Sequence, residues 1–314
     1  MSTENNIIEE KEIKLKTFYS LKEALQDPTT VTKLDLHLKN LESIPDEVFN
    51  FPNLVELNLV NNKISEIPDS IKQLKKLKKL ELSGNRIVEF PIAITNLVNL
   101  QTLVLSWNEI YYIPESIGLL KNLEWFGMNH NKLKYLPNSI GELVNLKELV
   151  LNDNDLINLP DSIGNLKNLE KLRISGNHLV NLPDSIGNLK NLKKLEAHEN
   201  NLTSLPITIG ELENLEKLRL YKNLFVTLPD SIGKLKNLKK LILYENELQY
   251  LPDSIGKLEN LTELELSYNE LSSLPSTIAE LKNLQLLDLS KNEFTIEEID
   301  TIKAYLPNAK IIIN

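Results

Sequence analysis

Residues 238–260 read Leu238-Lys-Lys-Leu241-Ile-Leu243-Tyr-Glu-Asn246-Glu-Leu248-Gln-Tyr-Leu251-Pro252-Asp-Ser-Ile255-Gly-Lys-Leu258-Glu-Asn260. Two periodicities meet in this stretch. Leu241 and Leu243 lie two apart, the spacing of a half-buried strand, whereas Pro252, Ile255 and Leu258 recur every three residues. The unit repeats along the chain. Eleven of the 14 prolines, from Pro45 to Pro275, stand 23 residues apart, and asparagine keeps the same beat from Asn62 to Asn292. A strand this short cannot bury its own apolar face. Stacked copies bury it together, as one continuous core beneath a parallel sheet.

Each position has a physical reason. The leucines of the strand form the core. The Asn after the strand turns the chain, and its amide is expected to satisfy backbone groups of its own turn and of the next repeat. A 23-residue unit leaves little room for a full helix, so the return segment is expected to be extended or to form 3₁₀ turns. Strands sit about 4.8 Å apart and the return side is bulkier, so the stack curves with the sheet on its concave side. The composition agrees: 63 of 314 residues are leucine and 38 are asparagine, both above ordinary usage.

The pattern Asn-Leu-x-x-Leu-x-Leu-x-x-Asn-x-Leu-x-x-Leu-Pro-x-x-Ile-x-x-Leu over residues 31–292 resembles the leucine-rich repeat superfamily. Within it, the unit is similar to the Ras-suppressor and plant intracellular Ras-group class and to repeat-only bacterial proteins, the leptospiral ones included. The lead-in from Leu21 to Pro28, followed by Val31-Thr-Lys-Leu34-Asp-Leu36, is similar to the start of those bacterial proteins. The resemblance implies an α/β repeat solenoid: a curved horseshoe with a parallel concave sheet and helical caps. It also implies a protein-protein interaction module, with small GTPases or their regulators among the partners by analogy.

The reading divides the chain into a disordered tail (1–12), a helical N-terminal cap (13–30), an array of about twelve strands (31–292) and a helix-strand cap (293–314). Ser20-Leu-Lys-Glu23 and Thr295-Ile-Glu-Glu298 each have the form of a capping box, in which hydroxyl and carboxylate both meet an orphan amide. Ile299, Ile302 and Leu306 would share one face of the second helix, and residues 309–313 would form a last strand. On this reading the chain is a complete array and a monomer, with no segment left to house a catalytic domain.

Several function classes are disfavoured. The chain has no cysteine, which removes disulfides, thiolate zinc sites and cysteine nucleophiles. Bacterial effectors with similar repeats can carry a separate ligase domain that uses a cysteine, and neither is found here. The net charge of −9 has the wrong sign for non-specific nucleic-acid or anionic-membrane binding. No run approaches the roughly 20 apolar residues of a membrane span. The acidic N-terminus lacks the apolar stretch of a secretory signal, so the expected compartment is the cytoplasm. An exported effector or surface protein that binds a host molecule is the alternative.

Function is therefore sought among the variable residues on the exposed side of the sheet. Summed over twelve repeats, these positions carry no net charge. Glu124, Lys147, Glu170, Lys193, Glu216 and Lys239 alternate in sign from strand to strand and read as a solubilising ladder. Two clusters are the candidates for partner binding. The first holds Val104, Trp107, Trp125, Asn129, His130 and Val150, with both tryptophans of the chain in adjacent repeats. Trp is enriched at binding hot spots; the scaffold alternative is that the rings lie on the sheet and cover Gly127. The second holds Arg173, His198, Arg219, Tyr221, Ile242, Tyr244 and Tyr268 among several lysines, and suits an acidic or amphipathic segment. Its alternative is a solvated face with tyrosines favoured by the strand.

Catalytic constellations fare poorly. Ser106, His130 and Asp153 lie in successive repeats, but Ser106 falls in a different column and an open sheet offers no oxyanion hole. The four histidines show no metal-ligand spacing, and Gly164, Gly187, Gly210, Gly233 and Gly256 are repeat elements rather than a phosphate loop. No catalytic residue, metal or cofactor is expected.

Overall fold

The structure, a computed structural model, describes residues 16–313. The expected disordered tail lies outside them. Fourteen parallel strands form one sheet in sequence order. Strand β1 spans Thr17–Phe18 and β2 spans Lys33–Asp35. Then come β3 Glu56–Asn58, β4 Lys79–Glu81, β5 Thr102–Val104, β6 Trp125–Gly127 and β7 Glu148–Val150. They continue as β8 Lys171–Arg173, β9 Lys194–Glu196, β10 Lys217–Arg219 and β11 Lys240–Ile242. The last are β12 Glu263–Glu265, β13 Leu286–Asp288 and β14 Lys310–Ile312. Each strand pairs with the next at a register offset of one repeat, as in Lys194↔Lys217 and Leu195↔Leu218. The whole is a curved solenoid with the sheet on its concave side.

Every return segment begins after its proline and winds as a five-residue 3₁₀ turn, for example Asp184–Asn188 after Pro183. The core is continuous from Phe18 to Leu306 and is built from the strand leucines and the return isoleucines. Glycine sets how closely the returns stack. A Cβ on Gly187 would lie 2.5 Å from the Thr208 carbonyl oxygen of the next repeat, and the same clash recurs at Gly164 against Ser185.

The asparagine ladder runs toward the preceding repeat rather than the following one, which corrects the expectation. Asn177 Nδ2 donates to the Ile174 carbonyl of its own turn (3.1 Å) and to the Leu151 carbonyl of the repeat before (3.0 Å). Its Oδ1 accepts from the Leu156 amide, again of the repeat before, at 3.0 Å. The left-handed residue ahead of each Asn turns the amide back under the finished coil. A second ladder uses the Asn that ends each return: Asn191 Nδ2 donates to the Lys167 carbonyl at 2.8 Å.

The ends differ from expectation in part. A strand, β1, opens the sheet ahead of the N-terminal helix α1, Leu21–Ala24. The expected capping box at Ser20 is not formed: the Ser20 side chain makes no cap bond, and the Glu23 carboxylate accepts from Lys16 Nζ at 2.7 Å. A four-residue helix offers few orphan amides to reward a cap, and the ammonium competes for the carboxylate. Leu25, at the C-terminal end of α1, is exposed. At the other end, α2 (Ile296–Tyr305) is capped by Thr295, whose side chain accepts from the Glu298 amide at 3.2 Å. Ile302 and Leu306 are buried and Ile299 is half-buried.

Candidate partner-binding face

The residue before each ladder Asn, and Leu38 at the same place in the first repeat, holds a left-handed backbone. The column runs Leu38, Asn61, Gly84, Trp107, His130, Asp153, Gly176, Glu199, Lys222, Glu245, Tyr268 and Lys291, with φ between 52° and 67°. Two positions use glycine, for which this conformation is free; a residue with a Cβ is strained there by about 1 kcal/mol. Trp107 sits in this column, 60% exposed, and its ring stacks on His130 at 3.7 Å between centroids. His130 Nε2 in turn lies 3.3 Å from the Asp153 carboxylate. Trp107, His130 and Asp153 thus form one continuous row just past the C-terminal ends of β5, β6 and β7.

Trp125 belongs to the scaffold as well as to the surface. It is half-buried, and its six-membered ring lies where a Gly127 side chain would be, 2.4 Å from the ideal Cβ position. Val104 and Asn129 are half-buried, and Asn129 accepts from the Ser106 hydroxyl at 2.5 Å. Val150 is only 6% exposed. It stands in register between Gly127 and Arg173 on a concave surface, where neighbouring long side chains converge. Ser106 therefore turns to Asn129 and does not join His130 and Asp153, so the structure does not assemble that triad.

In the second cluster, three rings stack in a column: His198 on Tyr221 at 4.1 Å and Tyr221 on Tyr244 at 4.3 Å, with interplanar angles of 17° and 11°. Tyr268 stands outside the stack, 55% exposed, in the left-handed column. Ser175, which the sequence did not single out, holds the foot of the stack, its hydroxyl 2.9 Å from His198 Nδ1. Burial holds the His198 imidazole below its ordinary pKa, despite the opposing pull of Glu196 and Glu199. Burial and the Tyr244 hydroxyl raise Tyr221 well above the usual phenol range. Ile242 is buried.

The basic character of this cluster is partly spent inside the molecule. Arg173 bridges Glu148 (3.1 Å) and Glu196 (3.3 Å), and Arg219 reaches Glu196 at 3.2 Å. Lys171 pairs with Glu148 at 2.9 Å, and Lys240 pairs with Glu263. Glu148 and Glu196 were missed as organisers of the face because each acts on a residue one repeat away. At the far end, burial, Glu263 and Asp288 push the Glu265 carboxyl up to about 7. Among the described residues, no His, Cys, Asp and Glu group is arranged to hold a metal, and no helix is long and apolar enough to cross a membrane.

Comparison with known proteins bears on the fold and its use. The family described as "Leucine-rich repeat region" matches residues 72–155, 91–176 and 130–241, and "Leucine rich repeat" matches 29–87, 213–271 and 236–294. A search of curated proteins finds no match. Among solved structures, the chain is similar to a leucine-rich repeat protein of Leptospira interrogans, with 30% identity and a TM-score of 0.71. The match covers 94% of this chain and 99% of that one. It is also similar to the plant peptide hormone receptor RGFR1 in complex with RGF2, with 28% identity and a TM-score of 0.74. That match covers 95% of this chain and 53% of the receptor. The Arabidopsis receptor kinase HAESA, in complex with the peptide hormone IDA and the co-receptor SERK1, matches with 32% identity and a TM-score of 0.69. Coverage is 90% of this chain and 54% of the other. The chain therefore spans about half the length of the plant receptors it matches. With a shared repeat along most of its length and a full-length relative at 30% identity, the chain belongs to the leucine-rich repeat family.

Proposed function

We propose that this protein is a non-enzymatic binding module that holds a protein or peptide partner on its concave face. The observation that carries the reading is Trp107. A large, exposed aromatic ring occupies a strained left-handed position, in a column where the same chain twice uses glycine. The backbone conformation is common to the column, and what singles out Trp107 is its large exposed indole, a side chain enriched at binding hot spots. The peptide-bound plant receptors support the reading by analogy of fold. Trp107, His130 and the flank of Trp125 form one contact area, and the tyrosine stack with Tyr268 forms the other.

The 23-residue unit argues for the Ras-group or bacterial class of the repeat. That class would make the module a cytoplasmic monomer in intracellular signalling, with a small GTPase or its regulator as the partner type. The test is affinity capture from the native lysate, followed by calorimetry with the captured partner. Trp107→Ala combined with Trp125→Ala should weaken binding at least tenfold while the variant still melts cooperatively. Unchanged affinity would remove the aromatic area from the interface. Cell fractionation checks the compartment, and recovery of the protein outside intact cells would favour the exported alternative.

A further inference from the structure

Two neighbouring rows of the concave sheet follow opposite electrostatic rules. In the outer row the charges alternate, and each lysine closes on a glutamate of the preceding repeat: Lys147 on Glu124, Lys193 on Glu170 and Lys239 on Glu216, at 2.6–3.0 Å. The next residue of each strand breaks this order. Lys171, Lys194, Lys217 and Lys240 occupy one register position on β8, β9, β10 and β11. Like charges directly opposite one another destabilise a sheet.

The outer members of the row are relieved. Lys171 pairs with Glu148, and Lys240 pairs with Glu263. Lys194 and Lys217 are half-buried and make no ion pair among the described residues. The nearby carboxylate, Glu196, is engaged by both Arg173 and Arg219. Burial and the neighbouring Arg219 and Lys240 charges hold the Lys217 ammonium below its ordinary pKa, against the opposing pull of Glu196 and Glu263.

We propose that Lys194 and Lys217 are an anion-recognition centre that takes two carboxylates of an extended acidic peptide lying across the strands. The proposal rests on the concave-face reading and names the partner's chemistry. Side chains two apart on an extended segment lie about 6.8 Å from each other on one face. Two flexible lysines on backbones about 4.8 Å apart reach them both. Carboxylates are favoured over phosphate because the arginines, whose forks suit bidentate phosphate binding, are already held in ion pairs with Glu148 and Glu196. What remains is a pair of ammonium groups in register with each other and without an ion pair among the described residues.

The test uses the full chain and a fluorescein-labelled oligoglutamate peptide, read by anisotropy at low and physiological salt. Lys194→Gln combined with Lys217→Gln should weaken binding about tenfold and leave the melting temperature equal or higher. Lys193→Gln combined with Lys239→Gln removes the same charge from the alternating row and should change affinity less than about twofold. Lys194→Glu with Lys217→Glu should instead capture oligolysine. Equal losses in the two glutamine variants, or no binding by the native chain, would overturn the proposal. So would binding of a phosphoserine peptide where oligoglutamate fails. A captured partner that depends on Trp107 but not on Lys194 and Lys217 sinks this inference and leaves the concave-face reading standing. A partner indifferent to both removes both.

Discussion

Asn177 shows how much of the fold rests on one side chain per repeat. Its amide serves three carbonyls and one amide across two coils, in a site 5% exposed. Asn177→Ala strands those groups without water and should cost about 3 kcal/mol, measured by urea unfolding. Asn191→Ala on the exposed ladder loses a single bond to Lys167 and should cost under about 1 kcal/mol. Gly187→Ala should also destabilise strongly, because the obstructing atom is the Thr208 backbone carbonyl and cannot rotate away. Trp107→Asn runs the other way. Asn tolerates the left-handed backbone, so relief of strain should offset loss of the His130 stack, and stability should stay within about 0.5 kcal/mol of the parent. A loss several times larger would make Trp107 a structural residue and remove the main support for the binding face.

Among elements, β12 and β13 carry the clearest pH signature. Glu265 has a raised pKa, about 7, against an ordinary value of 4.5; burial contributes most, then Glu263 and Asp288. Below pH 4.5 the carboxyl is protonated in both folded and unfolded chains and contributes nothing. Between 4.5 and about 7 the folded chain binds more protons, so stability falls as pH rises, and the penalty is complete above that window. Glu265→Gln fixes the neutral form. Its melting temperature should match the parent near pH 4 and exceed it at pH 8; an equal shift at both would show that the carboxyl titrates normally.

The whole molecule is a one-dimensional stack, so each end must close a core that the next repeat would otherwise cover. β14 pairs with β13 and α2 buries Ile302 and Leu306 over the last coil. Deleting residues 295–314 should expose that coil and the β13 edge. Light scattering should then show concentration-dependent association. A variant that stays monomeric with an unchanged melting temperature would show the cap to be dispensable. At this scale the face is also a mosaic rather than a uniform field: an aromatic row on β5 to β7, a lysine row on β8 to β11 and an acidic group on β12 and β13.

The 23-residue period by itself determined the strands, the buried leucines and the asparagine columns, because each is set by local spacing and by stacking of like on like, and it narrowed the returns to extended or 3₁₀ segments, of which the structure shows 3₁₀. The candidate face was legible as columns of residues for the same reason. The direction of the asparagine bonds was not, nor was the exchange of Glu23 from its expected cap to Lys16. The sequence also left open that Trp125 fills the space over Gly127 while Trp107 stands free in a left-handed turn. It did not reveal that Glu148 and Glu196 engage the arginines while Lys194 and Lys217 have no ion pair among the described residues. Those outcomes depend on which long side chains meet across repeats on a curved surface. Distance and competition in three dimensions decide them, and a period along the chain carries neither.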